Sequence, residues 1–421
     1  MKGDMHHARS HSLLVAALAM SCILATPVMA ADDEGGLRFR FGIAQEFSSR
    51  SNPGMRIPSA DSERIARTRF SMGVISETRI QRFELSMGGA LEAGQGREHG
   101  IAQPNVDLSY RRESASSVLT LGAFIRETDV DALDFSAGED IAGNPILSVS
   151  DGTGTQRRKG VNMGLEFGRD SRFGGMFSMG MTDTDYFDTT DPDLVDNRRR
   201  YARLSLRYDL TKVTQLRASG YLSRLKEDGD PTTNKTESLS FGIVNQRVDG
   251  DFSVDAGFGN TDAGWRQSLM VGRSYDLPTG WISARLGVSS RAAGGGNDLV
   301  GNLDWLHEMP QGDIKVSLDR EVTGDERDEE NLITRLSMIH SRELTRRSVG
   351  RIGLVMQDRE ETATGLSTKT ADLSMGLRYD LTPDWGLDFG ATHRIHDRDG
   401  AGRAHSNDLF LSLSRNFEFL Y

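Results

Sequence analysis

The chain has 421 residues with 50 Lys and Arg against 61 Asp and Glu, a formal net charge of −11. That acidic balance speaks against nucleic acid as a partner, and past the first 30 residues no stretch approaches the roughly 20 apolar residues of a membrane helix. The one cysteine, Cys22, excludes a disulfide and a thiolate metal site.

Residues 1–30 read as an export leader: Lys2 and Arg9 give the positive end, an apolar run covers 13–25, and Val28, Met29 and Ala30 precede the expected cut. A lipoprotein cut at Cys22 is the rival reading, matched poorly by Ala19, Met20 and Ser21. The mature part, 31–421, is expected to be one domain, with no plug ahead of it because the strand pattern starts right after Asp32, Asp33 and Glu34.

From there apolar and polar residues alternate. Leu37, Phe39, Phe41 and Ile43 interleave with Arg38, Arg40, Gly42 and Ala44, which puts the apolar set on one face of a strand. The pattern recurs at Phe83, Leu85 and Met87, at Val161, Met163, Leu165 and Phe167, at Phe252, Val254, Ala256 and Phe258, and at Ile314, Val316 and Leu318. The intervening arginines and carboxylates do not suit a dry sandwich core. Strands are expected near 36–48, 65–77, 80–93, 104–113, 117–127, 158–168, 173–184, 199–210, 214–226, 236–247, 251–260, 264–275, 280–291, 297–307, 312–321, 331–340, 348–357, 369–380, 385–395 and 405–420. The fold class is therefore all-β, a transmembrane antiparallel up-and-down β-barrel of about 20 strands, or 16 or 18 if the hairpins at 65–93 or 331–357 are misread.

The even-to-odd links are short and turn-rich, as at Asp249-Gly250 and Pro278-Thr279-Gly280, and the others are longer and more acidic. Tyr110, Tyr208, Tyr275, Trp281, Trp305, Tyr379 and Trp385 fall beside short turns, and Tyr186, Tyr201, Tyr221 and Trp265 beside long loops, which suggests two aromatic girdles. Leu204 to Thr211 and Met375 to Thr382 read alike, each with Tyr-Asp-Leu-Thr leading into the turn.

The last hairpin, from Tyr379 through Trp385 and Arg394 to Leu413, resembles the closing hairpin of bacterial β-barrel porins. Phe417, Phe419 and the final Tyr421 look like the signal that the barrel-insertion machinery reads in that class, although Phe is commoner at the last position. The resemblance implies the bacterial outer membrane, with its lipid and lipopolysaccharide as surroundings.

Parity assigns Arg38, Arg40, Arg82, Glu84, Glu92, Glu166, Arg203, Arg207, Arg217, Asp255, Lys315, Asp372, Asp388 and Arg394 to the lumen. They would either set a transverse field that sorts small hydrophilic solutes or merely pair with one another. The longest link, 128–157, is the third outer loop; folded inward, its Asp129, Asp131, Asp134, Glu139 and Asp140 would favour cations, and otherwise it is a solvated loop. A second acidic run, Asp183, Asp185, Asp188, Asp191, Asp193 and Asp196, lacks the Gly turn and terminal Glu of a calcium loop. His393 and His396 near Asp397 and Asp399 are the thin candidates for catalysis, with no Ser-centred motif to face them. No enzyme activity, metal or cofactor is expected. Passive diffusion is the expected function; a gated export conduit, for a polysaccharide for instance, or a structural barrel is the alternative.

Overall fold

Alternation becomes backbone in the computed structural model, which describes residues 36–421 apart from 56, 60–61, 95–99, 131–137, 140–144, 147–153, 190–193, 293–294, 325–329 and 401. The strands are β1 (Gly36–Ser51), β2 (Glu63–Glu77), β3 (Gln81–Gly94), β4 (Gly100–Glu113), β5 (Ser117–Asp129), β6 (Gly138–Glu139), β7 (Pro145–Ile146), β8 (Thr155–Phe167), β9 (Phe173–Phe187), β10 (Asn197–Asp209) and β11 (Thr214–Glu227). They continue as β12 (Asn234–Arg247), β13 (Gly250–Thr261), β14 (Gly264–Leu277), β15 (Gly280–Ser290), β16 (Asn297–Met309), β17 (Gly312–Gly324), β18 (Glu330–Thr345), β19 (Ser348–Glu361), β20 (Ser367–Asp380), β21 (Trp385–Arg398) and β22 (Gly402–Leu420). Twenty of them make one antiparallel sheet, while β6 and β7 pair only with each other. Because β1 pairs with both β2 and β22, the sheet closes and has no free edge. Closure satisfies every ladder hydrogen bond within the wall, which a sheet surrounded by hydrocarbon requires.

Residues directly opposite in an antiparallel ladder share a face, so the register carries one face around the ring. Phe41 lies opposite Met72, and Met72 opposite Met87. After a full circuit the apolar row returns to β1, with Phe39 and Phe41 opposite Phe419 and Phe417. The other face is concave: a recess of about 510 Å³ is lined by Gly42, Ala44, Ser71, Asn105, Arg126 and Asn416, which come from strands that are not all neighbours. The apolar rows therefore point outward. They are uncovered, Leu286 being 61% exposed and Phe389 52%, while only 13 apolar side chains are buried among the described residues. A soluble sheet would bury such rows; here hydrocarbon takes the place of a core.

The links divide by end. On one side they are brief, as at 248–249 and 278–279, and on the other the longest runs over 130–154. Gly250 turns with φ +124°, and a Cβ there would strike the carbonyl oxygen of Ser274, so only glycine fits. By the rule that outer-membrane barrels keep short turns in the periplasm, the end with long links faces outward from the cell. The hairpins of β2 with β3 and of β18 with β19 are fully paired, which excludes the counts of 16 and 18. Several strands outrun their expected outer limits, β1 reaching Ser51 and β19 reaching Glu361.

Glycines recur opposite large lumen-facing side chains. Gly160 lies across from Phe124, Gly180 from Tyr201 and Gly390 from Phe410. A Cβ on Gly180 would come 2.7 Å from Cε1 of Tyr201, and one on Gly160 2.6 Å from Cε1 of Phe124. The rings therefore lie flat over their glycine partners against the wall.

Candidate functional site

The register puts all of Arg38, Arg40, Arg82, Glu84, Glu92, Glu166, Arg203, Arg207, Arg217, Asp255, Lys315, Asp372, Asp388 and Arg394 on the concave face. Many are paired. Arg38 meets Glu77 and, at 3.9 Å, Glu418; Arg40 lies 3.6 Å from Glu418, Arg82 3.0 Å from Glu84, Glu166 3.5 Å from Arg169, and Arg394 3.3 Å from Asp372. Glu92 is held by Arg67, which also reaches Glu46 at 3.4 Å, and both Arg67 and Glu92 are almost fully buried. Arg207 lies 3.3 Å from Asp209 and donates to the carbonyls of Gly168 and Arg169. Arg217 donates to Gln215 at 2.7 Å. Asp255, Lys315 and Asp388 have no ion pair among the described residues.

The charges are unevenly distributed around the ring. On β8, β10 and β11 the concave face carries Arg158, Arg199, Arg203, Arg207 and Arg217, the β10 set recurring every four residues, with Glu166, Asp209 and Glu227 near the strand ends. On β16 and β17 it carries Asp298, Asp304, Glu308, Asp313, Asp319 and Glu321 with Lys315. Strands β12–β15 lie between these walls. Fixed charges of opposite sign across a lumen set up a field transverse to its axis.

Between the arginines sits an aromatic pair. Tyr201 and Tyr221 stack with centroids 6.5 Å apart, and the guanidinium of Arg203 lies 5.1 Å over the Tyr221 ring. This corrects the outer girdle. In β10 the outward row is Tyr208, Leu206, Leu204 and Ala202, so Tyr201 has the opposite parity, and its register partners carry Tyr221 inward with it. Tyr186 also faces inward, where Gln156 donates to its hydroxyl at 2.9 Å. Only Trp265 of that set faces out. In the periplasmic set Trp281 shares the concave face of Arg285, while Tyr110, Tyr208, Tyr275, Trp305, Tyr379 and Trp385 face outward. Position at a strand end says nothing of parity, and parity decides which solvent a ring meets.

Asp129 closes β5 opposite Thr155 rather than opening the loop. Asp131, Asp134 and Asp140 lie outside the described residues, and Glu139 belongs to β6. The second acidic run is not one site. Asp183 bridges Arg198, Asp185 lies 3.0 Å from Lys159, and Asp196 accepts the Tyr186 N–H at 2.6 Å. Asp191 and Asp193 lie outside the described residues. His393 and His396 face opposite sides of the wall, so they form no joint centre; His393 bonds Asn407 at 2.8 Å and stacks on His405.

Sequence reasoning missed Arg158 and Arg199, whose signal was present. Arg199 precedes Arg203 by four residues and shares its parity. It also missed Arg266, which donates from β14 to the carbonyl of Val322 on β17, past two intervening strands. Nearby, Val300, Val322 and Leu332 form a small buried apolar cluster at the outer end of β16–β18. Nothing in the alternation marks such a tie.

A closed antiparallel barrel with exposed apolar rows outside and charges inside is a protein of the bacterial outer membrane. No family model and no curated protein matches the chain. Among solved structures it is similar to a mutant of the ferric enterobactin receptor PfeA from Pseudomonas aeruginosa, with TM-score 0.53 and 9% identity over 91% of this chain and 80% of that one. Lower likeness links it to OccAB4 of Acinetobacter baumannii, with TM-score 0.45 and 8% identity over 92% and 99%. OpdK of Pseudomonas aeruginosa, solved with vanillate, gives TM-score 0.44 and 10% identity over 91% and 99%. At these identities the likeness speaks for the fold alone.

Proposed function

We propose that the barrel is a water-filled pore for passive diffusion of small hydrophilic solutes. The observation that carries this reading is an excess of arginine on the concave face of β10 and β11, where Arg199, Arg203, Arg207 and Arg217 outnumber Asp209 and Glu227, against an excess of carboxylate on β16 and β17, where six accompany Lys315. Charges that served only to neutralise one another would balance within each sector. A transverse field instead draws the negative end of a solute to the β10–β11 wall and its positive end to the other, so dipolar solutes cross aligned. Asp131, Asp134, Glu139 and Asp140 of the third loop, with Asp129 at the end of β5, would add a cation preference at the outer mouth. Residues 1–30 act as a removable leader, and Phe417, Phe419 and Tyr421 present the chain to the insertion machinery.

The test is single-channel recording in planar bilayers under a salt gradient. Stable ohmic steps are expected, and changing Arg199, Arg203, Arg207 and Arg217 to Gln moves the reversal potential toward cation preference. Neutralising the third-loop carboxylates moves it the other way. A folded barrel that stays electrically silent overturns the reading and favours the gated conduit, for which the Arg266 tie to Val322 and the buried cluster beside it are the supporting observation.

A further inference from the structure

The outward face is apolar along most of its height, but on β10, β11 and β12 it ends in cations. In β10 the outward row Tyr208, Leu206, Leu204, Ala202 gives way to Arg200 and Arg198. In β11 Leu216, Ala218, Gly220, Leu222 gives way to Arg224 and Lys226, and in β12 Leu239 is followed toward the outer end by Glu237 and Lys235. These cations stand in register: Arg200 opposite Arg224, Arg198 opposite Lys226, and Arg224 opposite Lys235. Like charges directly opposite one another destabilise a sheet. Arg198 is answered by Asp183, but Arg200, Arg224, Lys226 and Lys235 are exposed and have no ion pair among the described residues. Glu237, opposite Leu222, is the carboxylate on this face of β12. At the matching height β19 shows Asp358 and Glu360 instead, and the outward cations Arg157, Lys159, Lys369 and Arg403 on other strands each meet a carboxylate.

Height fixes what they meet. From Tyr208 to Arg200 is about 26 Å along a strand, which a tilt near 40° reduces to about 20 Å; Lys226, opposite Arg198 two residues further out, reaches about 25 Å, so the cations straddle the outer edge of a hydrocarbon band about 25 Å tall. Just below, Leu204 and Leu222 are exposed, Leu222 at 55%. Guanidinium groups bind phosphate bidentately, and an apolar row directly beneath suits acyl chains.

We propose that Arg200, Arg224, Lys226 and Lys235 form a seat for the phosphate groups of an outer-leaflet glycolipid, with its acyl chains against Leu204, Leu222 and Leu239. The bound anion relieves the cross-strand repulsion, and the lipid becomes a fixed part of this sector of the wall. Phosphate on a lipid, rather than free phosphate, is the occupant because cations and apolar row form one continuous surface.

Native mass spectrometry of the full barrel in detergent, titrated with phosphorylated lipopolysaccharide, tests this. The wild type should retain the lipid, and the variant R200Q/R224Q/K226Q/K235Q should lose at least about tenfold in affinity, as expected for removing charge-assisted contacts. The variant K369Q/R403Q, on another sector, should retain the wild-type affinity. Dephosphorylated lipid should bind the wild type as weakly as phosphorylated lipid binds the fourfold variant. Equal retention by the fourfold variant, equal retention of dephosphorylated lipid, or displacement by pyrophosphate at the same concentration as lipid overturns the proposal. Heat-dependent gel mobility reports folding, and R200Q/R224Q replaces the fourfold variant if that one does not fold.

Discussion

Replacing Arg67 with Met should lower the stability of the barrel more than any other single charge removal in its wall. The Arg67 side chain is 3% exposed and that of Glu92 4%; Nε of Arg67 donates to Glu92, and Nη1 lies 3.4 Å from Glu46. Removing one member of a buried pair costs about 3–5 kcal/mol, because the remaining charge stays desolvated. Arg69 still reaches Glu46 at 3.2 Å, so the loss falls on Glu92 and belongs at the lower end, about 3 kcal/mol. That is roughly a hundredfold change in the folded-to-unfolded ratio. Urea unfolding in vesicles, followed by tryptophan fluorescence, measures it. The double variant R67M/E92L replaces the pair with apolar side chains of similar length and should recover more than half of the loss. An unchanged midpoint for R67M, or a double variant no better than the single one, refutes the reasoning.

Changing Gly180 to Ala forces the Tyr201 ring off the wall and should cost about 1–3 kcal/mol by overpacking, with the denaturation midpoint restored when Tyr201 is also cut to Ala. Asp249, in the turn between β12 and β13, is held below the usual carboxylate range by its hydrogen bond from Arg273. A depressed acid stabilises above its unfolded pKa and loses that contribution as pH falls through its folded one, so D249N should be slightly less stable than the wild type at neutral pH and converge with it at acid pH, which flattens the acid limb of the stability profile. At the seam Phe417 packs 6.0 Å from Phe41, and Arg415 lies 4.4 Å over the Phe417 ring. F417A should slow assembly into liposomes containing the insertion machinery, read as the rate at which the heat-sensitive folded band appears; an unaltered rate argues against a role for this residue in insertion.

Strand number was legible because outer-membrane strands must alternate wherever hydrocarbon touches them. Beyond the hydrocarbon that demand ends, which is why the outer limits of β1 and β19 were read short: Arg50, Ser51, Glu360 and Glu361 carry no apolar signal, yet they remain paired. Which face of the wall each charged residue shares with its neighbours followed from parity alone. Which of them pair did not, since Arg67 with Glu92 and Arg394 with Asp372 depend on reach and level between strands. Aromatic rings misled because Tyr201 and Tyr221 fall where a girdle would lie, while their parity turns them inward to Arg203. The contact of Arg266 with Val322 crosses strands that do not touch in the ladder, and no local pattern encodes it.

The glycine partners of Phe124, Tyr201 and Phe410 make the bore a property of residue pairs. A side chain that lies down on a glycine occupies wall rather than lumen, so bulk can be held at Tyr201 or Phe124 without narrowing the lumen as long as the site across the ladder stays empty of a Cβ. Change is then directional. A lineage can trade one ring for another in a single step, whereas filling the glycine lifts the ring toward the barrel axis at once. Lumen width in such a wall can drift by one-step mutation toward constriction, and widening it again needs the glycine itself back or a smaller neighbour opposite.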